Sequence, residues 1–163
     1  MQNSHSRTIV LASASPRRKE LIQKLGLPVV IMPANVDETI DVENPGKRVE
    51  ALSLRKALAV YEKLKADQMK DPGRAIIIGS DTIVVKDGQV LGKPRNEQDA
   101  IDMLSMLSGE AHDVYSGVAC IDCATGEEIF AHRRTRVRFR PLTDEQIERY
   151  VKTGEPMDKA GAY

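Results

Sequence analysis

The sequence has 163 residues, enough for one globular domain that buries roughly two-thirds of the surface its unfolded chain exposes, and too few for two full domains. Lysine and arginine number 24, as do aspartate and glutamate, so the formal charge is zero; a uniformly basic nucleic-acid coat or an acidic tail is excluded, and any charge-based function rests on local clusters. With 41% hydrophobic and 29% charged residues the composition is that of an ordinary folded protein, and no apolar run approaches the roughly 18 residues of a membrane span.

The first thirteen residues, MQNSHSRTIVLAS, hold one arginine and a short apolar segment, too little for the core of a secretory signal. The two cysteines, Cys120 and Cys123, are too sparse for a disulfide framework. A cytoplasmic location with reduced thiols is therefore expected.

Residues 7–13 (RTIVLAS) read as a first strand. Ser15-Pro16 then starts a helix, because serine accepts a bond from an orphan amide and proline at the first helical position sacrifices none. Leu21, Ile22 and Leu25 are its expected apolar stripe and Gly26 its stop. Residues 28–33 (PVVIMP) predict a second strand. A polar loop through Asp37, Glu38, Asn44 and Pro45 leads into a long helix over 47–69, with Val49, Leu52, Leu58 and Leu64 as buried candidates and Asp71-Pro72-Gly73 as its breaker. Residues 75–79 are a buried-type strand, and 82–85 continue extended into Asp87-Gly88, a two-residue hairpin signal. An amphipathic helix over 96–107 ends at Gly109, and 111–140 are extended with a turn near Thr125-Gly126. Thr143 with Gln146 forms a capping box for a last helix, closed by Gly154 and Pro156. The order βαβαββαββα predicts one mixed α/β domain.

Several segments carry charges suited to chemistry. In SASPRR (13–18) two hydroxyls, a helix N-terminus and the guanidiniums of Arg17 and Arg18 make an anion cradle; cations there oppose the helix dipole, which argues for an anion between them. The bland alternative is a capped surface helix. Asp81, in GSDTIVV (79–85), follows an apolar strand and is placed to hold a metal or a water, although aspartate also serves simply as a turn-former. Lys93 and Arg95 (LGKPR) follow the hairpin, Asp37 and Glu38 (VDET) add two carboxylates, and Lys56 lies on the long helix. Carboxylates without cysteine or histidine point to Mg²⁺ or Mn²⁺ rather than zinc.

Other features carry less. Cys120 and Cys123 lack a second pair for zinc and face opposite sides of a strand. Arg134, Arg136, Arg138 and Arg140 line one strand face that could bind RNA or DNA, but zero net charge and 4% aromatics favour a solvated face. His5, His112 and His132 are scattered, with no relay.

Together SASPRRKEL (13–21), VDET (36–39), LSLRKA (52–57), GSDTIVV (79–85), LGKPR (91–95), LSGEAHDVYSGV (107–118) and GEPMDKAGAY (154–163) resemble, in order and over essentially the whole chain, the Maf family of nucleoside triphosphate pyrophosphatases. The resemblance implies a single Maf-like domain over 1–163. Its α/β fold is a mixed curved sheet flanked by helices, with two lobes around a cleft, as in inosine triphosphate pyrophosphatases. It further implies a cytoplasmic homodimer, with no membrane partner and no nucleic acid, that cleaves nucleoside triphosphates to the monophosphate and pyrophosphate with a divalent cation, Mg²⁺ or Mn²⁺. The family is also associated with inhibition of septum formation.

Residue by residue, Asp81 matches the proposed general base and a metal ligand. Lys56 and Lys93 match further catalytic positions that contact phosphate, and Ser13, Arg17, Arg18 and Thr82 match substrate-binding ones. Asp37 or Glu38 matches an acid near the metal. Pro16-Arg17-Arg18 and Thr82 resemble the branch that prefers dTTP and UTP over the one acting on 7-methyl-GTP. Ser80 stands where alanine is usual, and family members continue past KAGAY into a GIQG segment, so a chain ending at Tyr163 is expected to be truncated. The alternative is a regulatory or nucleic-acid-binding protein that keeps this fold without its chemistry.

Overall fold

In a computed structural model that describes residues 7–67 and 72–163, the apolar run after Arg7 forms β1 (Thr8–Leu11). The serine-proline start expected next is observed as α1 (Pro16–Gln23), where the Ser15 hydroxyl accepts from the Arg18 amide and Pro16 takes the first helical position. The expected apolar stripe is not: Leu21 and Leu25 are 62% and 60% exposed, and α1 has no buried residue. An eight-residue helix ends before Leu25, and of the three stripe residues only Ile22 is partly buried. What α1 contributes is its capped first turn rather than core.

β2 (Val29–Ile31) and α2 (Pro45–Ala66) follow, with Asn44 capping α2 through the Lys47 amide. The predicted helix end at Met69 and the breaker residue Asp71 lie outside the described residues. β3 (Ala75–Lys86) unites the two predicted stretches in one strand, β4 (Gln89–Leu91) closes the hairpin, and α3 (Glu97–Leu107) starts at the Asn96 cap. β5 (Ala111–Asp122), β6 (Glu128–Arg138) and α4 (Asp144–Lys152) complete the regular elements. The sheet runs β2-β1-β3-β5-β6, with β4 on β3. β1 is parallel to both β2 and β3, with Ile9 opposite Val29 and Ile76. β5 runs antiparallel to β3 and β6: Cys123 donates its amide to the Ala75 carbonyl, and Asp122 to that of Glu127.

The chain divides into two compact units, with residues of β3, β5 and β6 in both. The first holds the described residues up to Asp81 together with Gly117–His132. Its core packs Val10, Ala12, Ile77, Ala119 and Ile121 of the sheet against Ala57, Val60 and Leu64 of α2. Two strand glycines let the helix lie unusually close. A methyl at Gly79 would fall 2.2 Å from the Ser53 carbonyl oxygen, and one at Gly117 2.4 Å from that of Val49, so neither position has room for a side chain. This close seating brings the middle of α2 over the middle of β3, where Asp81 lies inside the strand rather than after it as the sequence suggested.

The second unit comprises Thr82–Ser116 and Arg133–Tyr163. Asp87 and Gly88, with φ of 49° and 78°, make the left-handed pair of a type I′ turn, so Lys86 pairs with Gln89. Ala100 and Leu104 of α3 pack on Ile147 and Val151 of α4 and on Ala162. The capping box of Thr143 and Gln146 forms in both directions. His112, Phe139 and Tyr163 meet edge to face, and His112 Nε2 is hydrogen-bonded to the Tyr163 hydroxyl.

Candidate active site

β1 delivers the chain into SASPRR, where Ser13, 8% exposed, faces inward at the strand's end. Its hydroxyl oxygen accepts from the Ser15 amide at 3.2 Å and from the Arg18 guanidinium at 3.1 Å. Arg18 thus folds back from the first turn of α1 toward the sheet. Burial lowers its pKa, opposed by the charges of Asp81 and Glu38 and reinforced by Arg17. The group stays charged, so it is a partly desolvated cation with two carboxylates in its field. Arg17 is exposed.

Lys56 reaches the same place from α2. Its Nζ lies 2.9 Å from Asp81 Oδ1 and 3.1 Å from Glu38 Oε1. Asp81 is 7% exposed, and its second oxygen, Oδ2, is buried and has no hydrogen-bond partner among the described residues. An unpaired buried carboxylate oxygen is costly, and here it is held because Lys56 fixes the other oxygen. Ser80, just before it, donates its hydroxyl to the Gly117 carbonyl at 2.7 Å, which ties β3 to β5 at this point.

The structure therefore brings together Ser13, Arg18, Glu38, Lys56 and Asp81, all within the first unit. The other acid of VDET is used differently. Asp37 Oδ1 accepts from the Thr39 amide at 2.8 Å, and that bond holds its carboxyl below the usual carboxylate range. Thr82 and Lys93 belong to the second unit. Thr82 is half-buried, and Lys93 is exposed on the wall of a cavity of about 310 Å³ that it shares with Arg95, Asp99 and Met103.

The remaining residues singled out in the sequence lie as follows. Cys120 and Cys123 are free and half-buried, and burial pushes both thiols up, away from the thiolate that reactivity needs. Of the arginine row, Arg134 and Arg136 share one carboxylate, Asp113, at 3.0 and 3.4 Å. His132 pairs with Glu50 at 2.7 Å, and His5 lies outside the described residues. Sequence reasoning missed Arg55, although it stands beside Lys56 in LSLRKA, and the close approach at Gly79 and Gly117, for which glycine inside a strand was the available signal.

No group of three or more His, Cys, Asp or Glu among the described residues forms a ready metal cage. A cage is not what Mg²⁺ requires: it is commonly held by one or two carboxylates and completed by substrate phosphates and water. Asp81, with its orphaned Oδ2, and Glu38, 60% exposed and sharing Lys56, fit that donor set. Among the described residues no helix is long and apolar enough to cross a membrane.

Comparison with known proteins places this chain in a family. A profile described as Maf-like protein matches residues 8–163. The chain belongs to the Maf family. It is 52% identical over 156 residues to a protein of Moorella thermoacetica named dTTP/UTP pyrophosphatase, covering 95% of this chain and 76% of that relative. A protein of Symbiobacterium thermophilum with the same name is 51% identical over 95% of this chain and 75% of its own length. One of Syntrophotalea carbinolica, also so named, is 48% identical over 98% and 70%. The Maf match includes all five clustered side chains, and a mixed α/β sheet with four helices agrees with the fold the family resemblance implies.

Proposed function

We propose that this Maf chain is a nucleotide diphosphatase that hydrolyses dTTP and UTP to the monophosphate and pyrophosphate. The observation that carries the mechanism is Asp81: one carboxylate oxygen held by an ammonium, the other buried with its lone pairs unused, among cations suited to phosphate. The names of the relatives support the substrate class.

Asp81 Oδ2 takes a proton from a water that attacks the α-phosphorus. A new P–O bond forms, the bond from the α-phosphorus to the bridging oxygen breaks, and pyrophosphate leaves with the electron pair. Lys56 holds and orients the Asp81 carboxylate through Oδ1. Arg18, braced on Ser13, presents planar donors to phosphate oxygens, and Arg17 adds charge at the helix N-terminus. Asp81 and Glu38 are the residues to hold Mg²⁺ or Mn²⁺, which supplies charge neutralisation on the triphosphate. A cytoplasmic location and a homodimer belong to the same proposal, on the strength of the family resemblance.

The test is Asp81→Asn. This swap keeps the shape but removes the base. Pyrophosphate release should fall by about a thousandfold or more while equilibrium binding of dTTP persists; an undiminished rate removes Asp81 from the chemistry.

A further inference from the structure

Glu38 sits in an irregular stretch, residues 32–43, with no helix or strand of its own to fix it. What holds it is the neighbour of Lys56 on α2. The Arg55 guanidinium donates to the main-chain carbonyl of Asp37 at 2.5 Å and to that of Thr39 at 2.9 Å. The residue between the two captured carbonyls is Glu38. The Asp37 carboxylate completes the turn through the Thr39 amide, and one helical turn of α2 thus grips the loop twice: Arg55 by its backbone, Lys56 by the Glu38 carboxylate.

We propose that Arg55 is a positioning residue, whose two bonds to the backbone hold Glu38 against Lys56, the ammonium it shares with Asp81. This rests on the reading of that cluster as the active site. A planar guanidinium suits the task, because two donors in a fixed fork set the distance between two carbonyls, whereas an ammonium engages them less rigidly. Loop and site are thereby coupled. Without Arg55, Glu38 keeps its charge but loses its fixed place.

The experiment compares Arg55→Ala, Arg55→Lys, Glu38→Gln and the double variant Arg55→Ala/Glu38→Gln for pyrophosphate release from dTTP with Mg²⁺, alongside amide hydrogen exchange across residues 37–40. Arg55→Ala should lower kcat/KM by about tenfold to a hundredfold, the scale of a misplaced active-site group, and speed exchange at Thr39 while leaving the middle of α2 protected. Arg55→Lys should recover part of both. In the double variant the loss should match that of Glu38→Gln alone, since Arg55 acts through Glu38. A wild-type rate in Arg55→Ala, or losses that multiply in the double variant, overturns the proposal. A wild-type rate in Glu38→Gln overturns the site reading first, and this inference with it. If Arg55→Ala does not fold, Arg55→Lys against its own double variant with Glu38→Gln carries the same comparison.

Discussion

Gly79→Ala tests how closely the site depends on the seating of α2. The added methyl would lie 2.2 Å from the Ser53 carbonyl oxygen and 2.9 Å from the Ala57 amide nitrogen, whereas Cβ atoms essentially never approach within 3.0 Å. Both are main-chain atoms of the helix, so no side chain can swing aside, and α2 must retreat by about 0.8 Å to bring the shorter contact back to 3.0 Å. Lys56 is adjacent to Ala57 on that helix and Asp81 is two residues beyond Gly79 on the strand. A rigid retreat would stretch their 2.9 Å contact to about 3.7 Å, beyond hydrogen-bond length. Overpacking of this kind costs about 1–3 kcal/mol, or roughly 2–12 °C in Tm for a chain of this size. Displacement of a catalytic group by about 1 Å costs about a hundredfold in rate. Thermal unfolding followed by circular dichroism and kcat for pyrophosphate release read the two effects separately. Gly92→Ala, where nothing lies within 4 Å of the new methyl, should keep the wild-type Tm. If Gly79→Ala keeps both the Tm and the kcat of the parent, the close-seating argument is refuted.

Two further outcomes follow from the second unit. His112 is buried, and desolvation lowers its pKa below the ordinary 6.5, with Asp113 opposing and Lys86 reinforcing the shift. The unfolded chain therefore binds the proton first as pH falls, so the stability His112 contributes is complete above about pH 6.5 and is lost progressively below it. Tm measured from pH 7.5 to 5 should fall more steeply for the parent than for His112→Gln; parallel slopes would show that His112 does not govern the acid limb. Thr143→Ala removes half of the capping box and should cost about 1 kcal/mol, a Tm loss of roughly 2–4 °C in calorimetry, whereas an unchanged Tm would show the cap to be energetically idle.

What was legible in the sequence is what short-range chemistry dictates. The serine and threonine caps of α1 and α4 and the Asp87-Gly88 hairpin depend on residues within four positions of one another, and each is present in the structure. α1 was misjudged at the level of packing. Its leucines satisfy a helical period, but a period states which residues share a face and not whether anything lies against that face. Asp37 and Glu38 are adjacent acids in an irregular loop, where no periodicity assigns direction. The structure shows that Glu38 is the one that meets Lys56, while Arg55 takes the carbonyls on either side of it. Likewise Lys56 and Asp81 stand 25 residues apart, and their ion pair depends on strand glycines that admit the helix backbone. The sequence suggested the members of this cluster through the family resemblance; their geometry is a property of tertiary packing.

The most direct test of the central claim is the product released from dTTP, UTP, CTP, GTP, 7-methyl-GTP and ATP with Mg²⁺ or Mn²⁺, resolved by phosphorus NMR. The account predicts equal amounts of pyrophosphate and nucleoside monophosphate, formed fastest from dTTP and UTP. Orthophosphate with a nucleoside diphosphate, or no product from any of the six, would contradict it.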